Sequence, residues 1–304
     1  MGRFILRRVV QAVFTVFGVM LLTFLLFRVI AGDVSADYVN PKLGREAREA
    51  WLEKHGLDQP AYVQFTSHLL KSITFQGRSY QTEERLTSII AKRANYSLAI
   101  TVPAMALGWL GAMIISSFVA YYRDTWIDRL GVFLSVLGMC VPYLAYMILG
   151  QWLMFQIYPP AAWGLRYRGN VYVPVAIAVI AGIGGSVRFY RTVILDQVNS
   201  DYVRTARAKG APLPAILFKH VIKNCMLPIL TNLVLAIPFL IMGSLLLERF
   251  FGVPGLGDLM IDSISRRDVP IITGLTFLTA VIYTVGLLVT DVLYAVFDPR
   301  IRLS

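Results

Sequence analysis

Nowhere in its 304 residues does the chain carry a G-x-x-x-x-G-K-[ST] word. It therefore has no glycine-rich loop with which to cradle nucleotide phosphates. Its two cysteines, Cys140 and Cys225, lie in or beside apolar runs, which argues against a disulfide framework or a Cys-x-x-Cys metal site. The three histidines, His55, His68 and His220, are scattered without ligand spacing. No nucleophile, base and orienting group stand together in a recognisable pattern. The expectation is a non-enzyme with no catalytic residue, no metal site and no cofactor bound by this chain. Charge is scarce as well: 15% of residues are charged and 57% hydrophobic, with a mean hydropathy of +0.63. That balance excludes a soluble globule of this length. The net charge of +11 falls in segments between apolar runs, so it speaks for membrane orientation and not for nucleic acid.

What is present is a series of runs long enough to cross a bilayer. They cover roughly residues 9–30, 98–120, 130–157, 171–187, 226–247 and 271–297, about six spans. The first follows Arg3, Arg7 and Arg8 and is too long for the core of a cleaved signal peptide, so it reads as an uncleaved span with the N-terminus inside. An even number of spans puts both termini on the cytoplasmic side. The fold class expected is all-α, a polytopic helical membrane bundle. Residues 1–31 form the N-terminal tail and first span, 32–95 an extracytoplasmic cap, and 96–304 a five-helix core. In the cap, Trp51, Leu52, Leu57, Tyr62, Phe65, Leu69 and Leu70 recur at near-helical spacing, which predicts short amphipathic helices on the outer membrane surface.

Residues 199–228 are basic and cannot lie in hydrocarbon. They carry their own punctuation: Asn199, Ser200 or Asp201 can cap a helix, 202–209 contain no breaker, and Gly210 followed by Pro212 and Pro214 ends it. The word Arg204-Thr205-Ala206-Arg207-Ala208-Lys209-Gly210, with His220, Asn224 and Leu227-Pro228 beyond it, resembles the cytoplasmic coupling loop of ATP-binding-cassette importer permeases, in the dipeptide, oligopeptide and nickel branch. The general pattern of that family is Glu-Ala-Ala, three residues, then Gly, and here Arg204 and Thr205 stand at the first two positions. Further words are similar to the same branch: Ala31-Gly32-Asp33, His55-Gly56-Leu57-Asp58-Gln59-Pro60, the loop 123–129, Phe-x-x-Pro-Gly-Leu-Gly at 251–257, Arg267-Asp268-Val269-Pro270, and Asp298-Pro299-Arg300-Ile301-Arg302. Phe75-Gln76-Gly77-Arg78-Ser79 matches the branch by half, and Asn95 stands where proline is usual.

The resemblance implies a type I importer permease fold. It also implies a multi-pass protein of a bacterial or archaeal inner membrane, translocating peptides or a similar small solute. Coupling loop 191–225 would engage a separate ATPase through Asp201, Tyr202, Arg204, Ala206, Arg207, Lys209 and Gly210. Phe250, Pro254, Gly255, Leu256 and Gly257 would form an outer gate or binding-protein contact, and Asn232, Met242 and Ser244 would line the path. The implied partners are a second related permease in a heterodimer, two ATPases that hold ATP and magnesium, an extracytoplasmic solute-binding protein and the lipid bilayer. The competing expectation is a proton- or sodium-coupled secondary transporter. Such carriers need buried acids or histidines in the bundle. The third to fifth spans have none between their loops, and Asp291 lies near the inner end of the sixth.

Overall fold

The computed structural model of the protein describes residues 2–27, 34–40, 44–157, 171–198, 200–242 and 244–297. Among them there is no strand; the one pairing outside helices and turns is an isolated bridge between Arg78 and Arg85. The chain divides into two compact units. The first comprises Met1–Ser97, Ile241–Arg249 and Val253–Leu288, and the second Leu98–Leu240, Phe250–Gly252 and Val289–Ser304.

The first unit begins with α1 (Gly2–Leu25) and continues through α2 (Ser35–Tyr38), α3 (Gly44–His55) and α4 (Ala61–Ile73). Gly56, at φ +68, ends α3. Buried Gln64 then ties the turn, its amide donating to Leu57 O at 2.8 Å and Gln59 O at 2.6 Å. The apolar face of α4 packs on α1: the Phe65 ring stands edge-on to Phe17 at 5.8 Å and to Phe24 at 5.3 Å. These two phenylalanines are two helical turns apart on one face. A second aromatic group joins α2 to α3, with Tyr38 stacked on Trp51 at 5.5 Å and Tyr80 edge-on to both Trp51 and His55. α5 (Leu86–Tyr121) is a single helix of 36 residues, about 54 Å long and far more than a bilayer's hydrocarbon needs. The division expected between residues 95 and 96 falls inside this continuous helix. Leu86 and Ile89 of this stretch form a core with Leu259 of α13 (Leu256–Ser265) and Ile271 and Leu275 of α14 (Val269–Phe297). α12 (Leu245–Phe251) precedes α13.

The second unit takes the rest of α5, then α6 (Trp126–Cys140), α7 (Tyr143–Ile157), α8 (Tyr172–Val198), α9 (Asp201–Ala208), α10 (Leu213–Ala215), a π-helical segment (Ile216–Val221) and α11 (Ile222–Met242). The single third crossing expected over 130–157 is two helices bent by 96°. Pro142 supplies no N–H, and the residue before a proline is pushed out of helical geometry; Val141 is extended at φ −78, ψ 122. The Tyr146 hydroxyl closes the bend on Gly138 O at 2.9 Å. The expected fifth span also ends early: α11 stops at Met242 and α12 begins at Leu245. The core of this unit gathers Tyr190 and Ile194 from α8, Val203 from α9, Ile216 and Val221, and Cys225 and Ile229 from α11. Asp128, buried at the start of α6, receives Nε and Nη2 of Arg191 at 2.7 and 2.8 Å, a two-pronged pair that fixes α6 against α8.

Among the described residues, four helices are long and apolar enough to cross a membrane: Leu6–Leu25, Leu86–Tyr121, Tyr172–Val198 and Val269–Val292. The bent pair makes a fifth if it is one span, and the apolar stretch Ile222–Ile237 is shorter. Only 11% of the apolar windows of α1 and α5 is buried in the chain itself. Residues such as Phe14 and Leu22 are 71% and 62% exposed. Apolar helices that leave this much hydrocarbon uncovered are soluble only in lipid, so the all-helical, multi-pass expectation holds.

Candidate functional site

α9 is a two-faced helix. Val203 is fully buried, and Tyr202 and Ala206 pack half-buried on the core of the second unit. Asp201, Arg204, Thr205, Arg207, Ala208 and Lys209 are exposed. The inner face is fastened at its start: Tyr202 Oη donates to Gln197 Oε1 at 3.0 Å, and Ser200 Oγ to Gln197 O at 2.6 Å. Ser200 is the N-cap by backbone conformation, yet its hydroxyl makes no cap bond; Asn199 lies outside the described residues. The end is a complete Schellman turn, with Ala211 N–H donating to Ala206 O at 3.1 Å and Gly210 N–H to Arg207 O at 2.9 Å. Gly210 sits at φ +78, a conformation that costs a residue with a side chain about 1 kcal/mol. Of the expected coupling residues, Asp201, Arg204, Arg207, Lys209 and Gly210 therefore lie on the free side. Tyr202 and Ala206 hold the helix down, and Thr205 and Ala208 complete the exposed face.

The Pro-Gly-Leu-Gly turn is organised by an acid that its sequence pattern does not advertise. Glu248 on α12 is fully buried; its Oε2 accepts the Gly257 N–H at 2.8 Å and the Asp258 N–H at 3.1 Å. The Leu256 N–H donates to Ser97 Oγ at 2.8 Å, and the Ser97 hydroxyl bonds Glu248 in turn. The first three amides of α13, which a helix cannot satisfy itself, are thus all taken. Burial pushes the Glu248 carboxyl above its ordinary pKa, against the donors from Ser97, Asp258 and Gly257. Gly255, Leu256 and Gly257 are buried in this joint, whereas Pro254 and Phe250 are half-buried. Arg249 and Arg93 flank it on Asp258, at 3.0 and 3.8 Å.

A second joint ties the segment between α1 and α5 to the start of α14. Asp268, 2% exposed, accepts Ser79 Oγ at 2.5 Å and the Tyr80 N–H at 3.1 Å. Arg267 takes the left-handed C′ position of α13 at φ +53, with Asp268 N–H donating to Ser263 O at 2.9 Å. That turn aims Asp268 at Ser79 and leaves the Arg267 side chain on Asp37, 3.2 Å away. Tyr38 Oη reaches Arg266 O at 2.7 Å. Burial, reinforced by the Asp268 charge, pushes the Tyr80 phenol up to about 12. The half-matching word ending in Ser79 and the Arg-Asp-x-Pro word are thus two halves of one contact.

The residues expected to line a path fall in different units. Asn232 is exposed on α11 in the second unit. Ser244, in the first unit, accepts the Leu247 N–H on its Oγ at 3.4 Å and so caps α12; the Met242 side chain lies outside the described residues. Glu248, Ser97 and Asp268 are what sequence reasoning missed. The one signal for Glu248 was an acid two residues before the Phe250-Phe251 pair and six before the Pro254-Gly255 turn.

These features are those of a polytopic helical membrane protein, with a short basic helix packed on the core of the second unit and a capped Pro-Gly loop in the first. Comparison with known proteins gives the family. The family model described as "Binding-protein-dependent transport system inner membrane component" matches residues 112–303, and its N-terminal companion matches residues 1–89. The chain belongs to this family. It is the membrane-spanning permease subunit of an ATP-binding-cassette importer, a non-catalytic subunit; a proton- or sodium-coupled carrier finds no support. Its relatives include the oligopeptide transport system permease protein AppB of Bacillus subtilis, 30% identical over 318 residues and 99% of this chain and 100% of that one. The dipeptide transport system permease protein DppB of Lactococcus lactis is 32% identical over the full length of both chains. The glutathione transport system permease protein GsiC of Salmonella typhimurium is 32% identical over 99% of each.

Proposed function

We propose that this permease imports peptides or a similar small solute, and that the exposed face of α9 takes the push of a partner ATPase. The relatives named for oligopeptides, dipeptides and glutathione support the solute class. The observation that carries the mechanical reading is α9 itself. A helix pinned by Val203 and stopped by Gly210 presents a rigid charged face with Arg204, Arg207 and Lys209, able to make charge-assisted contacts with an acidic or carbonyl-lined groove. In this reading both termini and α9 are cytoplasmic, in a bacterial or archaeal inner membrane. The segment between α1 and α5, together with the Pro-Gly loop at 254–257, is extracytoplasmic and receives a solute-binding protein. One bundle with one such helix engages one ATPase, and ATP sandwiches need two. The assembly is therefore a dimer of permeases, in this reading a heterodimer with a related chain, plus two ATPases, which hold ATP and magnesium.

Gly210→Val tests the site in reconstituted membranes. The variant is expected to insert and fold yet to lose ATPase association, or to hydrolyse ATP without uptake. Normal, fully coupled transport by that variant would remove the α9 assignment. Purification of a transport-competent complex with no second permease type would remove the heterodimer.

A further inference from the structure

The first unit contains a cavity of about 490 Å³ that the transport reading does not use. Its volume falls in the range of small-molecule sites, roughly 300–1,000 Å³. The walls are apolar where α1 ends, with half-buried Phe24 and Phe27, and include Leu52 and Pro270. The polar side is set by α4. His68 lines the cavity with its ring 5.9 Å from that of Phe24; its Nε2 is buried and has no hydrogen-bond partner. A buried imidazole nitrogen without a partner costs about 1–3 kcal/mol unless something fills the place. Lys71, three residues on and also lining the cavity, is exposed.

Burial and the Lys71 charge bring His68 down to about 4, so at neutral pH the ring is uncharged and can offer Nε2–H as a donor. Of the other ionisable groups on the lining, Lys54 and Glu83 are paired with each other at 2.5 Å, and Arg78 donates to Glu83 O at 3.3 Å. His55 is held by Trp51 O at 2.8 Å, and the Tyr80 phenol is protonated. Among the described residues, Glu83 is the sole acid on the lining, and its charge is already answered. Arg78 bonds a neutral carbonyl and keeps its charge, so the balance left on the lining is two cations, Lys71 and Arg78, beside one neutral donor, with the Phe24 ring 5.9 Å from that of His68. That combination repels cations and suits an anionic head on an apolar body.

We propose that this cavity binds a small amphipathic anion, its carboxylate or phosphate oxygens at His68 Nε2 and Lys71 Nζ and its apolar part against Phe24, Phe27 and Leu52. The site is independent of which solute the importer moves. Its occupant has two possible sources: an anionic phospholipid entering beside the exposed end of α1, or a free carboxylate from solution.

The test uses the full chain in its purified complex. Decanoate below its micelle concentration is titrated into nanodiscs of phosphatidylcholine, and into nanodiscs in which phosphatidylglycerol replaces part of that lipid; the thermal midpoint is read. A saturable rise with decanoate in both discs identifies a soluble anion. A rise with phosphatidylglycerol that abolishes the decanoate response identifies the lipid. Either supports the site. Lys71→Gln, an exposed position that does not threaten folding, is expected to weaken the decanoate response about tenfold, as loss of one charge-assisted bond does. His68→Phe should weaken it as well, and decyltrimethylammonium should not bind. No saturable response to either anion, equal responses in wild type and Lys71→Gln, or equal binding of the cation would each overturn the proposal.

Discussion

Replacing Gly255 by alanine tests the joint around Glu248. Gly255 has φ −92 and ψ −169, extended backbone open to any residue, so the substitution meets no conformational penalty. Its cost is contact alone. A Cβ added there falls on the Glu248 carboxylate and 2.5 Å from Ser97 Oγ. Glu248 is fully buried and pinned, so it must swing away from Gly257 and Asp258 to make room, stranding the buried Gly257 amide and the half-buried Asp258 amide. Each stranded group costs about 1–3 kcal/mol, and some of this is recovered if water reaches the gap; about 3 kcal/mol in total is expected. Gly252, in the same loop, is the control. It sits at φ +63, and a Cβ added to it would meet nothing within 4 Å, so Gly252→Ala should cost about 1 kcal/mol for conformational reasons only. Equilibrium unfolding in mixed micelles, followed by tryptophan fluorescence, measures both. On a Glu248→Ala background the cost of Gly255→Ala should shrink while that of Gly252→Ala stays the same. Equal costs for the two glycines, or a Gly255→Ala cost indifferent to Glu248, would refute the steric account.

Gly210→Ala should lower stability by about 1 kcal/mol, because open space surrounds the position and only its positive φ resists a side chain; a loss above about 3 kcal/mol in the same unfolding assay would mean hidden packing. Arg191→Met should cost about 3 kcal/mol by leaving Asp128 buried and unpaired, and Asp128→Asn in the same chain should restore part of it; the two-variant cycle checks this. His68 has a folded pKa, about 4, below its ordinary 6.5, so the unfolded chain binds more protons between those values. Stability from this group is present above pH 6.5 and falls as pH drops towards 4. A pH series of thermal midpoints should show that slope, and His68→Phe should flatten it.

Some of this was legible because it is local. The apolar runs marked the membrane helices, since a bilayer demands length and apolarity from each span separately. The end of α9 was readable from Gly210 and the prolines behind it, because a left-handed stop is set by one residue's own sterics. The bend at Val141 was half legible: Pro142 marked a weak point, but an apolar run drawn by composition passes straight through a proline.

The joints were not legible. Ser97 reaches Leu256 across 159 positions and Ser79 reaches Asp268 across 189, and no period or spacing links residues that far apart. The Pro-Gly turn could be predicted, but the reason for Gly255 could not. Its φ is ordinary, and glycine is required only because folding brings α12 and its buried acid against that carbon. Hydrophobicity and single-residue backbone energies are written into the order of residues, and they suffice to say which stretches enter lipid, that the chain is helical, and where the basic helix stops. Which acid organises the loop, which glycine is crowded and which face of α9 is free are settled at the level of the packed chain. Those follow from desolvation and contact between helices remote in sequence, quantities that do not exist until the helices have come together.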